Sequence, residues 1–322
     1  LASTAESRSL YRVACVGEVM LELTLVGGSV QLSVAGDTFN TATYLKRLLP
    51  DADVAYVTLV GSDALSDVVF RRLEAERLNT ETVGRSSDKT VGLYAVTVDG
   101  RGERSFTYWR SQSAARGLFG GGSQISLDRL SSFDLVYLSG ITLAILTDTV
   151  RNEFFEWAVA YRAAGGLIVF DSNYRPTLWE SPDLARNVTA RMWSLCDVAL
   201  PSASDEKELF GDRSDRSVIE RIKSAGARSG CLKRGELGPT SLHHPEVSFA
   251  SPVKDVVDTT AAGDSFNAGF IAAYIGGDGI ESCMRAGHRL ASEVIMHRGA
   301  IVPADNMPLL SIRPARHGAD LE

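Results

Sequence analysis

Short runs of branched apolar residues alternate with segments of helical rhythm from Tyr11 onward, and this alternation constrains the fold more than any other feature. YRVACVG (11–17), VAYVTLVG (54–61), FDLVYLSG (133–140), GLIVFDSN (166–173), CDVALPS (196–202) and SGCLKRG (229–235) have the length and composition of strands buried on both faces. Between them, DTFNTATYLKRLLP (37–50), SDALSDVVFRRLEAERLN (62–79) and TDTVRNEFFEWAVAYRAAG (147–165) read as amphipathic helices, the first stopped by Pro50 and the second capped by Ser62 or Asp63. A chain that returns to a buried strand after each helix builds a doubly wound, mostly parallel α/β sheet flanked by helices.

One stretch departs from that rhythm. TVGLYAVTVDGRGERSFTYWR (90–110) alternates apolar and polar residues about an Asp99-Gly100 turn, the pattern of a β-hairpin. Two strands alone bury too little surface to stand, so they are expected to join early strands around 21–32 as a small β-sheet lid. The expected domain spans 11–313, with lid segments at 18–36 and 90–112 and flexible tails at 1–10 and 314–322.

With 322 residues, 44% of them hydrophobic, the chain can bury a substantial core. A formal charge of −7 argues against a nucleic-acid partner. No apolar run reaches the roughly 18 residues of a membrane span, so no membrane association is expected and the cytoplasm is the expected compartment. Cys15, Cys196, Cys231 and Cys283 are too widely spaced for a metal clamp and read as reduced, buried thiols. GxxxxGK[ST], HExxH and GxSxG motifs are absent, as is GxGxxG after the first strand. The adjacent His243 and His244 read as loop or strand-edge residues rather than metal ligands.

The densest chemistry lies in DTTAAGDSFNAGF (258–270), where small residues precede a carboxylate at the start of a helical stretch. Ala261, Ala262 and Gly263 let a ligand approach the backbone, and a helix N-terminus offers unpaired N–H groups to phosphate oxygens. Asp264 beside that anion hole is placed to take a proton from a hydroxyl attacking a phosphoryl group, although the spacing equally allows a helix cap. VAGDTFNTATYLKR (34–47) combines Gly36 with Asp37 and Asn40, which can bond sugar hydroxyls or, again, simply begin a helix. LKRGELGPT (232–240) is a glycine turn after a strand, common in itself.

These strings occur in the order found in ribokinase-like (pfkB) carbohydrate kinases, whose Asp-Thr-x-Gly-Ala-Gly-Asp signature DTTAAGD resembles, with Ala261 in place of a glycine. The Ala-Ala-Gly-Asp form, with FTYWR (106–110), DSNYRPTLW (171–179) and MHRGAIVP (296–303), is similar to the 2-keto-3-deoxygluconate kinases. The resemblance runs from about residue 11 to 305 and implies a ribokinase-like fold and ATP- and Mg²⁺-dependent phosphorylation of 2-keto-3-deoxy-D-gluconate at its 6-hydroxyl. It implies catalysis by Asp264 with the backbone of Ala261, Ala262 and Gly263, and substrate contacts from Gly36, Asp37, Asn40, Tyr94, Tyr108, Arg110 and Arg175. Arg110 and Arg175 are the expected carboxylate grips, since a guanidinium can hold a carboxylate through two parallel hydrogen bonds. Nucleotide contacts are implied for Asn173, Ser202, Lys233, Gly235, Glu236 and Gly238. Where the family carries Asn-x-x-Glu, this chain has Ser202 and Asp205, so Asp205 or Glu206 is expected to hold Mg²⁺ through water. The residues also leave open a kinase for fructose, another ketose or the galactonate epimer, a catalytically silent sugar-acid sensor, and pairing of two copies through the lid.

Overall fold

The computed structural model describes residues 11–26, 29–98, 104–250, 253 and 255–313. The Asp99-Gly100 turn and the two tails lie outside the described residues. β1 (Arg12–Val16) leads out into β2 (Met20–Val26) and β3 (Ser29–Ala35), and α1 (Asp37–Leu48) returns the chain to β4 (Asp53–Gly61), α2 (Ala64–Ala75) and β5 (Val83–Ser86). A second excursion makes β6 (Gly92–Val98) and β7 (Arg104–Trp109). The core resumes with β8 (Leu135–Ser139), α3 (Gly140–Ile145), α4 (Asp148–Ala163), β9 (Leu167–Asp171), α5 (Pro182–Leu195) and the two-residue β10 (Val198–Ala199). Then follow α6 (Ala203–Phe210), α7 (Asp215–Ala225), β11 (Ser229–Leu232), β12 (Thr240–Ser241), α8 (Ala262–Ile275) and α9 (Ile280–Val294).

The eight-stranded sheet has the order β12-β11-β10-β9-β8-β1-β4-β5. Its pairings are parallel except that of β11 with β12. From β1 the chain goes first to β4 on one side and later to β8 on the other, and the crevice outside the carboxyl ends of strands at such a reversal is where α/β sheets bind ligands. The twofold period of the strands feeds two apolar layers. Ala14, Val16, Ala55 and Val57 pack with Leu143, Phe154, Trp193 and Ile222 on one face. Val13, Cys15, Val54 and Tyr56 pack with Phe39, Leu73, Phe270 and Leu290 on the other.

Local chemistry explains the helix starts. Asp63 is the cap of α2, accepting from the amides of Leu65 and Ser66, and Ser181 accepts from Leu184 ahead of Pro182 in α5. The four cysteines are buried and free, as their spacing predicts.

The hairpin joins β2 and β3 in a four-stranded sheet of order β3-β2-β6-β7, the expected lid. Its register aligns Glu22, Tyr94 and Tyr108 across three strands, which puts them on one face. Leu21, Leu93 and Trp109 align on the opposite face, together with Leu25 opposite Val30 and Leu23 opposite Leu32.

Candidate active site

A cleft of about 920 Å³ opens between the lid and the carboxyl ends of the core strands. Asp264 lies in its wall as the third residue of α8, behind Ala261, whose left-handed φ of 60° starts the helix without a side-chain cap. Asp264 is no cap either: its Oδ2 accepts from Asn40 Nδ2 at 2.8 Å, while Thr41 Oγ1 donates to its carbonyl at 3.1 Å. The first amide of the helix bonded back by a full turn is that of Ser265, which reaches Ala261 O at 2.9 Å. The first-turn backbone at Ala262, Gly263 and Asp264 therefore lines the cleft ahead of that bonding pattern, an anion-binding arrangement.

Burial, then the nearby Asp37 carboxylate, push the Asp264 carboxyl up to about 8, with the Asn40 amide pulling the other way. A carboxyl held there is a stronger base near neutral pH than an ordinary aspartate.

Asp37 is the first residue of α1, after Gly36. A Cβ on Gly36 would stand 2.5 Å from Glu18 O, so only glycine lets the two loops pass. The Asp37 side chain does not cap its helix; it accepts from Ser139 Oγ and from Asn173 Nδ2, the latter at 2.8 Å. Asp37 is thus tied to the ends of β8 and β9, and Asn173 holds a φ of 30° to make the contact.

Lys233, expected at the nucleotide, lies at the end of β11 and donates to Asp171 Oδ2 at 2.6 Å and to Asn267 Oδ1 at 3.0 Å. Asn267 in turn donates to Asp171 at 2.7 Å and to Tyr137 OH at 3.0 Å. Motif reading missed Asp171 and Asn267. The available signals were a carboxylate ending the apolar strand LIVFD, and an amide three residues after Asp264, hence on the same helix face.

From the lid, Met20, Tyr94, Phe106, Tyr108 and Arg110 reach the cleft. Tyr94 OH donates to Glu22, and its ring centroid lies 5.6 Å from that of Tyr108. Arg110 Nε and Nη2 both donate to Glu18 Oε2, the first at 2.8 Å, so one face of the guanidinium is committed within the protein. Arg175 lines the opposite wall, donating to Tyr174 O at 2.7 Å and lying 3.6 Å from Asp205 Oδ2. Ser202 and Asp205 line the same wall. Burial raises the Asp205 carboxyl above the ordinary range, partly offset by Arg175.

One expectation needs correction. Glu206 has no access to the cleft: its side chain is fully buried and takes an ion pair from Arg221 at 2.8 Å, because the helical turn that turns Asp205 outward turns Glu206 inward. Gly235 and Glu236 begin a 3₁₀ turn, Gly235–Leu237, that Gly238 ends, two residues beyond Lys233 in the chain. Gly238, at φ 69°, is required by packing, since a Cβ there would meet Phe249 O at 2.0 Å. His243 Nε2 lies 3.0 Å from Ala227 O, while His244 pairs with Glu246, so the two do not converge.

The pfkB family carbohydrate kinase profile matches residues 11–307. The chain is 39% identical over 306 residues to the 2-dehydro-3-deoxygluconokinase of Dickeya dadantii, covering 92% of this chain and 98% of that protein. Among solved structures, the PfkB protein from Polaromonas sp. JS666 superposes with a TM-score of 0.75 at 24% identity, covering 89% of this chain and 96% of that one. An Escherichia coli chain in complex with ATP and Mg²⁺ superposes with a TM-score of 0.76 at 19% identity, covering 93% and 96%. The sheet order, the lid and the Asp264 cleft now have a common explanation: the chain belongs to the pfkB family of carbohydrate kinases.

Proposed function

We propose that this chain transfers the γ-phosphoryl group of ATP to the 6-hydroxyl of 2-keto-3-deoxy-D-gluconate (2-dehydro-3-deoxygluconate), giving the 6-phosphate and ADP. The observation that carries the reading is Asp264: a carboxyl raised to about 8 at a helix N-terminus, 2.8 Å from Asn40 and facing a cleft bordered by Asp37. The likeness over nearly full length to a 2-dehydro-3-deoxygluconokinase supplies the substrate.

Asp37 and Asn40 hold the sugar by its hydroxyls, with Gly36 backbone beside them. Asp264 accepts the 6-hydroxyl proton as that oxygen forms its bond to the γ-phosphorus, and the bond from phosphorus to the bridging oxygen breaks to release ADP. The backbone of Ala261, Ala262 and Gly263 meets the phosphate charge. A Cβ added to Gly263 would stand in ordinary contact with Lys233 Nζ at 3.6 Å, so the start of α8 and the Lys233 ammonium lie side by side at the phosphate end in this reading. Lys233, Ser202 and Asn173 border the polyphosphate end. Tyr94, Tyr108, Arg110 and Arg175 enclose the sugar, and the lid excludes water.

Among the described residues no three His, Cys, Asp or Glu side chains cluster to hold a metal. Mg²⁺ keeps several waters and binds largely through substrate phosphates, and Asp205, which lines the cleft, would hold it through water. When bound, Mg²⁺ offsets phosphate charge. No helix among the described residues is long and apolar enough to cross a membrane, and the cytoplasm is the compartment this reading assigns to the reaction. Two copies pair through the outer faces of their lids.

The test is ADP release with ATP, Mg²⁺ and a panel of 2-keto-3-deoxygluconate, its galactonate epimer, fructose and ribose. Turnover is expected on the keto-deoxy acid and lost in Asp264→Asn; a neutral sugar as preferred acceptor, or silence on every sugar, would overturn the reading.

A further inference from the structure

Four basic side chains line the cleft: Arg110, Arg116, Arg175 and Lys233. Three have partners already. Lys233 is held by Asp171 and Asn267, Arg175 by the Tyr174 carbonyl with Asp205 at 3.6 Å, and Arg110 by the fully buried Glu18. The side chain of Arg116, half-buried and also lining the cleft, has neither hydrogen bond nor ion pair among the described residues.

A cation drawn partly out of water without a counter-charge costs stability unless something else meets it. The cleft also carries four aspartates, Asp37, Asp171, Asp205 and Asp264, so an incoming carboxylate finds little net attraction unless one positive charge is uncommitted. Arg110 can still donate a hydrogen bond through Nη1, but Glu18 has neutralised its charge. Lys233 lies beside Gly263, at the phosphate end. With the 6-hydroxyl at Asp264, the carboxylate is at the other end of the sugar, and Arg116 follows the lid strand β7 by only a few residues.

Its backbone is fixed in advance. Arg116 sits in a 3₁₀ turn, Ala114–Gly117, whose two alanines are buried and whose Ala114 amide bonds to Thr90 O at 2.8 Å. The position, if not the side chain, is therefore preorganised.

We propose that Arg116 is a specificity-determining residue of this kinase, supplying the counter-charge to the sugar acid's carboxylate while Arg110, balanced by Glu18, contributes hydrogen bonding. The inference rests on the sugar-acid reading given above.

The experiment compares wild type, Arg116→Gln and Arg116→Lys on 2-keto-3-deoxygluconate and on its uncharged methyl ester, with KM for ATP measured in parallel and melting used to check folding. Wild type is expected to prefer the acid. In Arg116→Gln the acid-to-ester ratio of kcat/KM falls about 10- to 100-fold, mostly through KM for the acid, as loss of a charged hydrogen-bonding partner implies. Arg116→Lys keeps most of the preference because it keeps the charge. An unchanged ratio, an equal loss on acid and ester, or a change confined to KM for ATP overturns the proposal; the last would move Arg116 to the phosphates. If wild type itself does not distinguish acid from ester, the sugar-acid reading has failed before the variants are consulted.

Discussion

Asp264 is held by opposing influences that can be changed one at a time. Burial and the Asp37 charge raise its carboxyl to about 8, and the hydrogen bond from Asn40 favours the ionised form. Since kcat/KM reports ionisations of the free enzyme, it is expected to rise with pH through an acid limb near 8. Asp37→Asn should move that limb to lower pH by removing a repulsion, and Asn40→Ala should move it higher. Both variants lose activity as well, so the limb position measured from full pH–rate profiles is the deciding quantity; shifts in the same direction would refute the assignment. Stability carries the opposite sign. The folded-state value lies above the unfolded one, so this group's contribution to stability is complete below about pH 4 and is lost as pH rises through about 8. Asp264→Asn is therefore expected to melt higher than wild type by a gap that widens from pH 5 to pH 8 and then levels. Turnover in the same variant should fall by about 10²- to 10⁴-fold.

The lid leaves the core just after Glu18 and returns just after Arg110, and these two residues form a buried ion pair across its base, with side-chain exposures of 0% and 10%. Removing one partner of such a pair leaves a desolvated charge, a cost of about 3–5 kcal/mol. Glu18→Gln should accordingly speed hydrogen exchange at the amides of β2, β6 and β7 while leaving β8 and β9 protected; uniform acceleration would mean that the pair braces the whole domain. The pairing itself was not readable from sequence, because Glu18 and Arg110 lie 92 residues apart. Strands β1, β4, β8 and β9 were legible because burial on both faces produces unbroken apolar runs, and the lid because one wet face produces alternation. Asp264, Asp37, Asn40 and Lys233 were legible because each lies in a short contiguous string. Asp171 and Asn267 were missed because their meeting with Lys233 is made by β9, α8 and β11, segments far apart in the chain. In the 235–238 turn the sequence does not separate packing from ligand contact: a Cβ on Gly238 would meet Phe249, whereas one on Gly235 would meet nothing. Ala261 shows a third case, a methyl group carried at φ 60° that packs against the buried lid cluster of Met20, Ala35, Tyr94 and Val96.

At the scale of the molecule, the lid presents two faces of different character. The cleft face carries Tyr94, Tyr108 and Arg110, whereas the outer face carries Leu25, Val30, Leu32 and Trp109, exposed by 51%, 60%, 45% and 55%. Scattered apolar residues on a surface are ordinary, but these four share one face of a single sheet, and a contiguous apolar sheet face normally meets a partner. A second copy offers the same surface, and two such sheets can stack at about 10 Å with their side chains interleaved. The formal charge of −7 per chain opposes association, so the pairing has to come from apolar contact at the lid rather than from charge attraction. Light scattering is therefore expected to give the mass of two chains for the wild type, and of one chain for Trp109→Glu, which sets two carboxylates into the centre of the contact. Raising the salt should leave the wild-type dimer intact, because apolar burial is not screened. The monomeric variant should keep Asp264 chemistry but lose affinity for the sugar by about 10-fold or less, since its lid strands would no longer be backed from outside. A wild type that is monomeric at micromolar concentration would instead make the outer face a free surface and leave lid closure to the Glu18–Arg110 pair alone.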